Sequence, residues 1–122
     1  MKFVKYLFAV TFLVLGLAGC KYGFIWPEDI PDTDTIEVSF AADIQPIFTD
    51  RCIICHNGTR NPNLTSGNSY TSLSSGYINT NNPEESLIYK QPIPNGGGSH
   101  LKYTQAEAAL VLGWIKQGAK NN

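Results

Sequence analysis

Apolar and polar positions divide the chain into one unbroken apolar block, a polar proline-containing stretch, and short segments with helical spacing separated by polar loops. Tyr6 to Leu17 is apolar apart from Thr11 and Gly16; it follows the basic start Met1-Lys2-Phe3-Val4-Lys5 and runs into Leu17-Ala18-Gly19-Cys20. Residues 43 to 52 predict a helix with Asp43 near its cap, Pro46 in the first turn where a missing N–H is tolerated, and Ile44, Ile47 and Phe48 on one side. Asn82-Pro83-Glu84-Glu85 predicts the start of a short helix, with an Asn cap, Pro at the first position and carboxylates near the positive end. Thr104-Gln105-Ala106-Glu107 is a capping box, and the helix it opens carries Ala106, Leu110, Gly113 and Trp114 along one face before Gly118 stops it. Gly113 leaves room for a close crossing. Asn57 to Asn81 is rich in Asn, Ser, Thr and Gly and reads as loop, with one helical turn around Tyr70 and Leu73. The fold class expected is all-α with long loops.

At 122 residues and 43% hydrophobic content, the chain suits one small domain and excludes both a polytopic membrane protein and a disordered chain. Nine Lys and Arg against 10 Asp and Glu provide no basic field, so nucleic acid is excluded as a partner. The opening block reads as a secretory signal, since a membrane span needs about 20 apolar residues and this block is shorter. Leu17-Ala18-Gly19-Cys20 also resembles the lipobox of bacterial lipoproteins. That resemblance implies cleavage after residue 19, lipidation of Cys20, and a mature domain anchored to a membrane outside the cytoplasm, facing the periplasm or the cell exterior.

Loss of Lys2 and Lys5 with residues 1–19 raises the acidic excess from one to three. Residues 20–37 hold one lysine against Glu28, Asp29, Asp32, Asp34 and Glu37, with Pro27 and Pro31 and no periodic pattern. This composition predicts a solvated tether, reaching at most ~60 Å when extended. Residues 38–122 form the domain proper.

Three cysteines and two histidines supply the candidate chemistry. Cys52-Ile53-Ile54-Cys55-His56 carries the spacing of a c-type haem attachment site. Two thiols three positions apart can form thioethers with two vinyl groups on one edge of the porphyrin, and the next residue then offers an imidazole to the iron. Other uses of these residues are less well matched. Structural zinc takes paired ligand blocks, whereas His56 and His100 lie far apart in the chain. A thioredoxin-like dithiol needs a preceding strand, and a disulfide across so small a loop stabilises little.

The likeness extends beyond that pentapeptide. Phe40-Ala41-Ala42-Asp43-Ile44-Gln45-Pro46-Ile47-Phe48, then Asn82-Pro83-Glu84-Glu85-Ser86-Leu87-Ile88-Tyr89, and finally Trp114-Ile115-Lys116-Gln117-Gly118-Ala119 resemble small single-haem c-type cytochromes of the planctomycete-type and related lipoprotein groups. The resemblance covers residues 38–122. It implies a helical cytochrome c-like fold around one covalent haem c, with Cys52 and Cys55 as its thioether residues and His56 as the proximal iron ligand. It also implies packing of the first helix on the last, with Phe48 and Trp114 as contact aromatics, and a pocket lined by Leu87, Ile88 and Tyr89. By analogy, a carbonyl in the loop around Pro62 accepts the Nδ1 proton of His56.

Such cytochromes commonly use a methionine as the sixth ligand. The one methionine of this chain is Met1, so His100, after the run Gly96-Gly97-Gly98-Ser99, is the candidate distal ligand. An open or water-filled position, or Lys102 or Lys90, are the alternatives. Arg51, Arg60, Lys90 and Lys102 are candidate partners of the haem propionates. The function expected is single-electron transfer to redox partner proteins, with no catalytic constellation in view. A haem-based sensor or peroxidase-like enzyme with an open sixth position, or an accessory subunit of a larger redox enzyme, are the competing readings. In so short a domain the haem is expected to supply much of the core.

Overall fold

The computed structural model describes residues 29–93 and 100–122. The signal, Cys20, residues 20–28 of the acidic stretch and the Gly96–Ser99 run lie outside them. The described residues are helical with no strand, an all-α fold as expected. No described helix is long and apolar enough to cross a membrane.

The first helix starts earlier than its spacing predicts. Ser39 Oγ accepts the Ala42 amide at 3.2 Å while Asp43 Oδ2 accepts the Ser39 amide at 2.8 Å, so Asp43 completes a reciprocal cap instead of opening the helix. A π-helical turn, Phe40–Ile44, leads into α1, Gln45–Arg51. Pro46 sits just past that junction. There the Gln45 amide reaches back to Phe40 O across the widened turn, and the proline has no N–H of its own to satisfy. The Phe40 and Ala41 amides are taken by Asn122 from the far end of the chain, at 2.9 Å each.

α2, Ser69–Ser74, is the single turn expected around Tyr70 and Leu73. Its Ser69 hydroxyl bonds the Gln45 side chain, and Tyr70 Oη donates to Ala119 O at 3.0 Å, which ties the loop region to both ends of the helical core. The helix expected from Asn82 is split in two. A 3₁₀ turn, Pro83–Glu85, stops at Ser86, which adopts an extended ψ of 128° before α3, Leu87–Lys90. Buried Ser86 uses its hydroxyl to accept the Asn79 amide at 2.9 Å. Asn82 makes no side-chain cap; Asn79 Oδ1 instead takes the amides of Asn81 and Asn82.

α4, Gln105–Lys116, has the capping box read from its sequence, with Thr104 Oγ1 accepting the Glu107 amide and Glu107 Oε2 accepting the Thr104 amide at 2.7 Å. It ends in a Schellman turn, with Ala119 N–H on Trp114 O and Gly118 at φ +96°. Its buried side chains are Ala108, Val111, Trp114 and Ile115, whereas Ala106 and Leu110 are half-buried. The phase of the face therefore differs from expectation. Residues 108 to 112 are almost uniformly apolar, so spacing alone leaves the direction of burial undetermined.

The first and last helical segments meet through Phe40. Its ring lies 5.1 Å from Trp114, 6.4 Å from Phe48 and 5.4 Å edge-on from Tyr70. Phe48 and Trp114 are both fully buried, and Trp114 Nε1 donates to Lys120 O at 2.8 Å.

The described end of the acidic stretch lies against α4. Gln117 Nε2 donates to Thr33 O and Ile36 O, its Oε1 accepts the Val38 amide, and the Thr33 side chain occupies the space a Cβ at Gly113 would need. The close approach permitted by Gly113 is thus to this strap. Gly113→Ala is expected to lower stability in urea by about 1 kcal/mol, because ~1–3 kcal/mol of overpacking outweighs the ~1 kcal/mol gain in helix propensity. Thr33→Gly in the same chain should recover most of that loss; a stabilised Gly113→Ala single variant would refute the contact.

Candidate functional site

The Cys-x-x-Cys-His spacing acquires its geometry from the end of α1. Cys52 is the C-cap, and its carbonyl accepts both the Cys55 amide at 3.1 Å and the His56 amide at 2.9 Å. This extra turn brings positions i, i+3 and i+4 to one side. Cys52, Cys55 and His56 accordingly line one cavity of about 580 Å³, while the Ile54 side chain beside them is 85% exposed. Both thiols are free, Cys52 half-buried and Cys55 exposed.

Pro62 O lies 2.9 Å from His56 Nδ1. A carbonyl only accepts, so Nδ1 carries the proton and Nε2 keeps its lone pair for a metal. The Leu64 amide donates to His56 O at 2.7 Å and fixes the same stretch from the other side. The partner loosely assigned to the Pro62 loop is therefore the Pro62 carbonyl itself.

His100 lines the same cavity. Its ring is exposed and lies 6.2 Å from that of His56, with the planes 21° from parallel. Lys90 and Lys102 are not among the lining residues; Lys90 pairs with Glu85 at 2.8 Å and Lys102 Nζ donates to Gln91 O at 2.9 Å. Leu87 and Ile88 line the cavity as expected, and Tyr89 does not.

Arg51 and Arg60 also line the cavity. Arg51 Nε pairs with Glu107 Oε1 at 2.5 Å, so the carboxylate that caps α4 also orients this guanidinium. Burial, reinforced by Glu107 and opposed by Arg51, pushes the Cys52 thiol up to about 11. Among the described residues no three His, Cys, Asp or Glu side chains gather as ligands for a metal ion, which leaves the zinc alternative without a site there.

The cofactor implied by the motif fits this set of residues. Two thiols and an imidazole with a free Nε2 share one wall, a second imidazole faces them, Leu64 and Ile88 supply buried apolar surface, and two arginines offer cations for carboxylates. The volume lies within the ~300–1,000 Å³ of small-molecule and cofactor sites. Among the described residues Leu64 and Ile88 belong both to this wall and to the buried core, with Cys52 and Tyr77 packed against it, so the cavity stands beside a packed core rather than at its centre.

Tyr77, which also lines the cavity, comes from the polar loop region, where no periodicity singles it out. Tyr103 is a second residue missed by pattern: it is 3% exposed, with its hydroxyl pushed well above the usual tyrosine range, chiefly by burial. Comparisons with protein-family models, with curated proteins and with solved structures find no match in any of the three.

Proposed function

We propose that residues 38–122 form a c-type haem domain that passes single electrons between redox partner proteins, held at a membrane through lipid on Cys20. The observation that carries this reading is the convergence of Cys52, Cys55, His56 and His100 on one cavity, with His56 oriented by the Pro62 carbonyl. When bound, haem c supplies a one-electron ferric–ferrous couple. Cys52 and Cys55 hold it covalently, and His56 offers Nε2 as the proximal ligand. His100 would be the second iron ligand, Leu64 and Ile88 would shield the group from water, and Arg51 and Arg60 would meet its carboxylates.

Two histidine ligands imply a potential below that of a histidine–methionine pair, because thioether sulfur favours ferrous iron more than imidazole does. A full coordination sphere also favours electron transfer over ligand chemistry. His100→Ala is expected to convert a low-spin ferric signal in low-temperature electron paramagnetic resonance to a high-spin one, and to open the reduced protein to carbon monoxide. A low-spin spectrum unchanged by the substitution would remove His100 from the site. Rapid, complete carbon monoxide binding by the unsubstituted protein would favour a sensor or peroxidase-like enzyme instead.

A further inference from the structure

The segment that carries His100 is joined to the end of α3 by a bond that the backbone alone has no means of making. In a helix the carbonyl of residue i takes its hydrogen from the amide of residue i+4. For Ile88 that residue is Pro92, which has no N–H. The Tyr103 hydroxyl fills the vacancy by donating to Ile88 O at 2.9 Å. Ile88 and Tyr103 are 6% and 3% exposed, so the bond lies away from water, where losing the donor strands a polar atom.

Two more bonds link the same pieces of chain. The Tyr103 amide donates to Pro92 O at 2.8 Å, and Lys102 Nζ donates to Gln91 O at 2.9 Å. Ile88, Gln91, Pro92 and His100 all line the cavity. His100 is exposed and three positions from Tyr103, so the grip on residues 102 and 103 bears on where its ring sits.

We propose that Tyr103 is the positioning residue for His100: its hydroxyl holds the His100–Tyr103 segment on the end of α3 and so keeps the imidazole opposite His56 against competing small ligands. This rests on the reading of His100 as the second axial ligand and names what controls that ligand's exchange. Tyr103→Phe separates the hydroxyl from the rest of the grip, because the ring keeps its buried place and the amide bond to Pro92 survives. Lys102→Met loosens the outer tie, where water can replace the lost donor.

The test is the rate of carbon monoxide binding to the reduced, haem-loaded protein, with the ferric spin state as a second readout. The parent protein is expected to bind slowly, limited by release of His100. Tyr103→Phe should bind about tenfold faster and show a partial high-spin signal; Lys102→Met should bind about twofold faster. Val111→Ala, in the core and outside the bonds of the grip, should lower the melting temperature and leave the rate unchanged, which separates positioning from general loosening. Equal, fast rates for the parent and His100→Ala would overturn both the ligand reading and this inference. A slow parent, a fast His100→Ala and parent-like rates for Tyr103→Phe and Lys102→Met would overturn this inference alone. Should Tyr103→Phe not accumulate with haem, a parent-like rate for Lys102→Met overturns it.

Discussion

Replacement of both Cys52 and Cys55 by alanine is expected to abolish covalently held haem in the exported protein, so that haem staining vanishes from a denaturing gel. The two thiols are the means of attachment, and they share one side of a single turn because the Cys52 carbonyl binds the amides of both Cys55 and His56. Each single substitution leaves one thioether and should retain reduced staining. The two positions are not equivalent. Cys55 is exposed, whereas burial keeps the Cys52 thiol protonated, with a pKa of about 11. Cys55→Ala therefore leaves the less reactive thiol alone and should give the weaker stain of the two. Staining that persists in the double variant would show that these thiols do not carry the pigment.

The second large effect is expected at Trp114. Its side chain is fully buried, packs against Phe40 at 5.1 Å and donates to Lys120 O, so Trp114→Ala removes core volume, an aromatic contact and a half-buried bond together. Such changes cost about 3–5 kcal/mol, a large share of the ~5–15 kcal/mol that keeps a small domain folded. At ~4–8 °C per kcal/mol for a domain this size, the melting temperature should fall by at least about 12 °C. Ile30→Ala, at a side chain 59% exposed, should stay within about 0.5 kcal/mol of the parent. A melt of Trp114→Ala close to that of Ile30→Ala would contradict the placement of Trp114 at the centre of the core.

Features set by neighbours in the chain were legible before any coordinates. The Thr104–Glu107 capping box and the stop at Gly118 depend on residues within a few positions of the backbone they satisfy. The shared side of Cys52, Cys55 and His56 follows from spacing at the end of a helix. Features set by distant partners were not legible. The start at Phe40 depends on Asn122, more than 80 residues away, as well as on Ser39 and Asp43. The break at Ser86 depends on Asn79 competing for its hydroxyl, and the strap across Gly113 depends on three bonds from Gln117 to backbone near residue 35.

The candidate site shows the same division. His56 was marked by its motif, and His100 by its place before the last helix in a chain whose one methionine is Met1, with an open position or a lysine left as alternatives. Which of four basic side chains faces the cavity was not readable, because Lys90 is engaged by Glu85 and Lys102 by Gln91 O, whereas Glu107 directs Arg51. Tyr103 carried no signal at all. Its role arises from a proline eleven residues earlier that leaves Ile88 O without its helical donor.

The most direct test is the intact mass of the exported, matured protein, taken after denaturation so that only covalent groups remain. A gain of one haem, lost in the Cys52→Ala/Cys55→Ala variant, is the expected result. A polypeptide free of added porphyrin, with both thiols open to alkylation, would contradict the proposed electron-transfer site at its foundation.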